Sequence, residues 1–214
     1  MKTVLVTGFE PFGGDARNPS EEIARALDGR RIAGRAIVGA VLPCVFDGSV
    51  TELKKRLRAH RPELVVCLGL AGGRAGITPE RVAINLDDAR IADNAGAQPQ
   101  DRAVVRGGPA AYFSTLPVKA IVAALRGERV PAEVSPTAGT FVCNHVFYAL
   151  MHALRGNRGV RGGFVHVPFL PEQAGAGQPS LPLEIMIEAV ALTVKVTLRT
   201  RRNGRGQGGR TPPL

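Results

Sequence analysis

Apolar residues along this chain fall in two patterns. In KTVLVTG (Lys2 to Gly8) and ELVVCLGL (Glu63 to Leu70) they run almost without interruption, the mark of strands buried on both faces. A further strand is expected to end at AIVGAVLP, another over GGFVHVP, and ERVAINLD has the character of a strand as well. Elsewhere the spacing is helical. Pro19 to Leu27 reads as a helix whose start is marked by Asn18 and Ser20, and Asp47 to His60 as an amphipathic helix ended by Pro62. Ala110 to Arg126 is expected to be mostly helical, as is Asn144 to Leu154. The last helix carries Leu183, Ile187, Val190 and Val194 on one stripe. Strands that alternate with helices and are apolar on both faces imply an α/β fold, with helices covering both sides of a largely parallel sheet. Ligands in such folds bind beyond the carboxyl ends of the strands. That directs attention to the loops GFEPFGG, GLAGGRAG and VPFLPEQ.

Composition changes this picture little. With 214 residues, 44% of them hydrophobic, the chain can bury one good core, so residues 1–198 are expected to form a single catalytic domain. No apolar run is long enough to span a bilayer, and the N-terminal stretch meets glycine and glutamate before a signal-peptide core could develop. A cytoplasmic protein is expected, its three cysteines (Cys44, Cys67, Cys143) being free thiols. The net charge of +10 invites a nucleic-acid reading, but six of the basic residues follow Ala189 with no acidic residue among them. Residues 199–214 are rich in arginine, glycine and proline and are read as a disordered, solvated tail. Nucleic acid is therefore not the expected partner, although an Arg/Gly tail can bind RNA.

The candidate chemistry narrows by exclusion. Gly8 and Gly13 have P-loop spacing, but Gly14 and Asp15 stand where lysine and Ser/Thr are required. What the loop does carry is Phe9 and Phe12, which either anchor it to the core or form flat apolar walls for a small ring. Cys143-x-His145 is the only close Cys/His pair, too few ligands for a structural metal site. Cys143 lies where a loop enters a helix, a place expected to lower a thiol pKa and to leave backbone N–H groups for an oxyanion. At roughly 100° per residue, His145 and His152 point about 200° and about 180° away from it, so both read as packing or solvent-facing residues. His60 reads as surface. His166, at the end of a short strand stopped by Pro168, is the remaining partner. The acids that could orient it are Glu80, Asp87, Asp88 and Asp93. Glu80, followed by an apolar strand, is the one most readily drawn inward; the others suit solvated turns, with Arg90 offsetting them.

Six blocks carry a resemblance to a known family: VTGFEPFGG…NPS, AGGRAGITPERVAIN, DARIADNAGAQP, STLPVKAI, AGTFVCNHVFY and GFVHVPFLPEQ. Together they resemble the type I pyroglutamyl peptidases, also called pyrrolidone-carboxylate peptidases. The resemblance implies a cysteine peptidase with Cys143 as nucleophile, His166 as general base and acid, and Glu80 as the orienting carboxylate. It further implies that Arg90 assists at the oxyanion and that Asp93 supports the site. The pyrrolidone ring would lie against Phe9, Phe12 and Phe141, with Asn18 steadying the loop. Also implied are a three-layer α/β/α sandwich with a mostly parallel mixed sheet, a homo-oligomer, often a tetramer, pyroglutamyl-peptide substrates, and no metal or organic cofactor. Two departures stand out: Leu70 occupies the place of a common glutamine before AGGR, and the basic tail has no counterpart. Another cysteine-dependent hydrolase of small amides, or an RNA-binding protein using the tail, are the competing readings.

Overall fold

The structure is a computed structural model that describes residues 2–200. The chain runs β1 (Thr3–Phe9), α1 (Pro19–Leu27), β2 (Arg31–Ile32), β3 (Arg35–Leu42), α2 (Phe46–His60), β4 (Leu64–Leu70), β5 (Thr78–Pro79) and β6 (Val82–Ile84). It continues through β7 (Ala111–Phe113), α3 (Val118–Gly127), α4 (Val142–Leu154), β8 (Arg161–Val167) and α5 (Leu183–Arg199). Six strands form one sheet in the order β2-β3-β1-β4-β8-β5. The four inner strands are parallel and the two-residue edge strands antiparallel. A mostly parallel mixed sheet was the expectation, and it holds.

The unbroken apolar runs have a direct cause. Val4, Val6, Leu64, Val66, Leu68, Val165 and Val167 share one core with residues of α1, α3 and α5. Their neighbours Leu5, Val65, Cys67 and Phe164 share another with α2 and α4. Both faces of β1, β4 and β8 are therefore covered, and neither face can be polar. Between β1 and β3 the chain moves to one side, and from β3 it returns past β1 to β4 on the other. The direction of winding thus reverses between β1 and β4, the place where open α/β sheets form their sites. Close helix packing fixes one residue type in this region: a Cβ on Gly8 would lie 1.9 Å from the carbonyl oxygen of Ser20 in α1.

One segment departs from the expected helix. Ala111–Phe113 pairs antiparallel with Val82–Ile84, and the helix begins only at Val118, behind Pro117. The aromatic pair Tyr112-Phe113 suits a strand, and a proline fits the start of a helix but not its interior. β2 and β5 are too short to leave a period in the sequence. The tail expected from residue 199 lies, after Thr200, outside the described residues. Among those residues no helix is long and apolar enough to cross a membrane.

Asn18 starts α1 as read from the sequence. Its Oδ1 accepts from the backbone N–H of Ser20 at 3.0 Å and from the Ser20 hydroxyl at 2.8 Å, while Nδ2 donates to the Glu10 carbonyl at 3.0 Å. The side chain, 1% exposed, thus ties the loop after β1 to the helix that follows. Asn18→Ala is expected to lower stability by about 1–2 kcal/mol, read as a reduced urea midpoint; an unchanged midpoint would show that the loop is held elsewhere.

Candidate active site

The sulfur comes first. Gly139, at φ +77°, turns the chain into Phe141, which precedes α4 with extended backbone, so Cys143 is the second residue of the helix. The first intrahelical bond of this turn runs from the N–H of His145 to the carbonyl of Phe141, leaving the N–H of Cys143 without a helical acceptor. The half-buried sulfur rests on β4 at Gly69. A Cβ on Gly69 would lie 2.7 Å from Cys143 Sγ and 2.9 Å from the Phe164 ring. Gly69 is the register partner of His166 in β8. Partners across a ladder project from the same face of a sheet, so the side chain that Gly69 lacks leaves the space beside His166 to the sulfur.

His166 is 3% exposed and its Nδ1 lies 2.7 Å from Oε1 of the fully buried Glu80. Bonding to a carboxylate places the proton on Nδ1 and leaves Nε2 as the acceptor. Glu80 stays beside β8 because its own N–H donates to the Phe164 carbonyl at 2.9 Å. Of the four acids considered, it is the one brought to His166. Arg74 also reaches it: Nη1 is 2.7 Å from the same Oε1 and 2.5 Å from Thr78 Oγ1. Sequence reasoning missed Arg74, and its only trace was a basic residue in the loop after β4, close ahead of a glutamate.

The site is drier than a helix N-terminus alone implies. Burial pushes the Cys143 thiol up from its ordinary value, with the Glu80 carboxylate acting in the same sense and Arg74 opposing. Burial also pulls His166 below the usual imidazole value; the Glu80 bond works against this and Arg74 with it. The expectation of a lowered thiol pKa is therefore corrected. Burial thus favours the neutral thiol and the neutral imidazole, because desolvation penalises both charged forms. Burial also pushes Cys44 and Cys67 up to about 12, so acidity does not single out Cys143; its place over Gly69, beside His166, does.

Around this pair the remaining residues take distinct places. Phe12 and Phe141 are partly exposed, their rings 6.0 Å apart, and Phe46 meets Phe141 edge-on at 5.4 Å. Phe9, only 2% exposed, lies behind in the core against Phe164. Asp93 accepts backbone N–H bonds from Phe46, Ala95 and Ala97 at 2.8–2.9 Å. Burial raises its pKa, but these bonds outweigh burial and hold it below the usual carboxylate range. Arg90 is exposed and makes no side-chain hydrogen bond or ion pair among the described residues. Leu70 ends β4, 8% exposed.

Asp87 requires a correction, and His145 takes the packing alternative: Asp87 is fully buried and His145 2% exposed, with Nδ1 2.9 Å from Asp87 Oδ2. Arg102 closes the network at 3.0 Å from the same oxygen. This second imidazole–carboxylate pair lies on the side of α4 turned away from the sulfur, as the helical angle predicted. His152 bonds the Tyr112 hydroxyl at 2.9 Å, and the His60 carbonyl, in the last turn of α2, accepts from the Thr3 hydroxyl at 3.0 Å.

Gly69→Ala tests how the sulfur is placed. The added methyl group forces Sγ and the Phe164 ring to move, and displacing a reacting atom by about 1 Å can cost a hundredfold. Alkylation of Cys143 by iodoacetamide is expected to slow by about tenfold to a hundredfold in a protein that still folds; an unchanged rate would show that the contact does not set the sulfur's position.

Comparison with known proteins agrees with this geometry. The family described as pyroglutamyl peptidase matches residues 2–200. A pyrrolidone-carboxylate peptidase of Cupriavidus necator is 56% identical over 213 residues, covering 98% of this chain and 99% of that one. That of Cupriavidus taiwanensis is 57% identical with the same coverage. The crystal structure of pyroglutamyl peptidase I from Bacillus amyloliquefaciens superposes with a TM-score of 0.90 at 46% identity, covering 93% of this chain and 96% of that one. A match across the whole described chain, in sequence and in fold, means that this protein belongs to the pyroglutamyl peptidase family.

Proposed function

We propose that the protein is a cysteine exopeptidase that hydrolyses the bond between an N-terminal pyroglutamyl residue and the rest of a peptide. The observation that carries this reading is the convergence of Cys143 Sγ on the space beside His166, whose Nδ1 is fixed by Glu80 at 2.7 Å. As the substrate carbonyl arrives, His166 Nε2 takes the thiol proton and sulfur bonds to the carbonyl carbon. The oxyanion that forms is held by the N–H of Cys143, with Arg90 assisting from its exposed loop. His166 then gives the proton to the departing amine nitrogen as the C–N bond breaks, leaving a thioester. Water, deprotonated by His166, attacks the thioester; pyroglutamate leaves and the thiol is restored. No step draws on a metal or an organic cofactor.

Selectivity follows from the walls. A pyrrolidone ring is flat and neutral, so it suits the apolar face of Phe12 and Phe141, with Phe9 backing that face and Asn18 holding the loop that carries it. Asp93 fixes the N–H of Phe46, and so the ring on which Phe141 rests. Leu70 offers the lactam no hydrogen bond from its side chain. The reading also includes a homo-oligomer, a tetramer by resemblance, for which exposed Phe113 and Ile185 supply apolar surface. A cytoplasmic location completes it, supported by the three free thiols.

Cys143→Ala is expected to abolish release of a chromophore from a pyroglutamyl conjugate, while the wild type leaves prolyl and glutaminyl conjugates uncut. Hydrolysis of those conjugates at comparable rates would replace this reading with a broader amidase. Leu70→Gln is expected to lower KM severalfold at nearly constant kcat; if KM does not move, backbone groups alone hold the lactam.

A further inference from the structure

Arg74 makes contacts that neither a surface ion pair nor a plain structural bridge explains. A guanidinium recruited to bind a carboxylate commonly takes both oxygens in a planar fork. Arg74 instead places one nitrogen on Glu80 Oε1, the oxygen already bonded to His166, and shares that nitrogen with Thr78. The second oxygen of Glu80 is buried and has no hydrogen-bond partner. The other guanidinium nitrogen reaches the carbonyl of Thr137 at 3.4 Å, in the segment that leads to Cys143. One side chain from the loop after β4 thus touches the carboxylate of the triad, the strand beside it and the approach to the nucleophile.

We propose that Arg74 is a positioning residue of the reaction, holding Glu80 on His166 and tying the pair to the segment that carries Cys143. This rests on the peptidase reading above for its chemistry, and on the shared oxygen for its geometry. The consequence is electrostatic. The charged or titratable groups facing the His166 ring are Glu80 from the end of β5, Arg74 from the loop after β4 and Cys143 from α4. A lone buried carboxylate would stabilise the imidazolium strongly once the thiol proton is taken. Arg74 draws on the same oxygen, so the imidazolium is held less firmly and passes its proton more readily to the leaving amine. The Arg74 charge also lowers the proton affinity of His166, in the same sense as burial.

The test is the pH dependence of Cys143 alkylation by iodoacetamide in the wild type, Arg74→Ala and Arg74→Lys, together with kcat and KM on a pyroglutamyl conjugate. Alkylation needs no peptide substrate, so its outcome stands even if the pyroglutamyl reading fails. The wild-type rate is expected to rise through an acid limb centred below the ordinary imidazole value of about 6.5. Losing the positive charge raises the proton affinity of His166, so in Arg74→Ala the limb is expected to move up by about one pH unit. There kcat is expected to fall about tenfold or more with KM nearly constant. Arg74→Lys, which keeps the charge but loses the second nitrogen that reaches the Thr137 carbonyl, should leave the limb near its wild-type position and restore part of kcat. Should Arg74→Ala not fold, Arg74→Gln takes its place. A limb that does not move between folded wild type and the neutral variant, or a wild-type profile with no such limb, overturns the proposal.

Discussion

A carboxylate with no exposure to water is stable only if the protein supplies what water would have given it. Glu80 is such a group: one oxygen is met by the ring of His166 and the guanidinium of Arg74, each at 2.7 Å, while the other is buried with no hydrogen-bond partner. Much of the site follows from that requirement. β5 exists to carry Glu80: its two residues pair with His166 and Val165, and the Glu80 N–H continues the same ladder to Phe164. The loop after β4 must return close to β5 to deliver Arg74. Both depend on β8 lying next to β4 on the far side of the winding reversal, where loops from separate strands can meet.

The chain contains two buried imidazole–carboxylate pairs, and their contrast shows what makes one reactive. Asp87 and His145 are tied to Arg102, and His145 stacks edge-on against Phe46 at 5.4 Å. The other nitrogen of that imidazole lies 3.7 Å from the Asp47 carboxylate, and no thiol is paired with it among the described residues. Glu80 and His166 are as deeply buried, but the strand beside His166 carries a glycine at the register position, so a sulfur can occupy the place of a side chain. What sets the Glu80–His166 pair apart is the sulfur that the glycine on β4 admits beside it. The Asp87 network has its own use: with Asn144, whose side chain bonds the backbone of Ile84 and Leu86, it fixes the first turn of α4 against the segment after β6.

Several features were legible in the sequence because a local rule governs them. Buried parallel strands show as unbroken apolar runs, Asn18 ahead of Pro19 marks a helix start, and the angle between residues of one helix separates His145 from Cys143. These depend on neighbours within a few positions. Arg74, Gly69 and the Asp87–His145 pair do not. Gly69 reads as one more glycine in a glycine-rich loop until the β4–β8 register places it opposite His166. Asp87 looks like a turn residue because its partners, His145 and Arg102, are 58 and 15 positions away. Ala111–Phe113 departs from the expected helix for the same reason, since its strand is defined by a partner near residue 83 and not by its own period.

The corrected charge state of the resting pair bears on what the site can bind. The sulfur and the Phe164 ring both border the space over Gly69, and the imidazole is 4.8 Å from that same ring. One wall is thus apolar, and burial moves both groups toward their neutral forms. A neutral lactam entering beside Phe12 and Phe141 does not disturb that balance, whereas a free N-terminal ammonium would bring an uncompensated charge into a region of low polarity. Charge is needed only once the carbonyl is attacked, and the helix N–H groups are oriented to receive it at that moment. In the proposed reaction, a site kept neutral at rest would discriminate against ordinary amino termini by desolvation and keep its electrostatic stabilisation for the transition state.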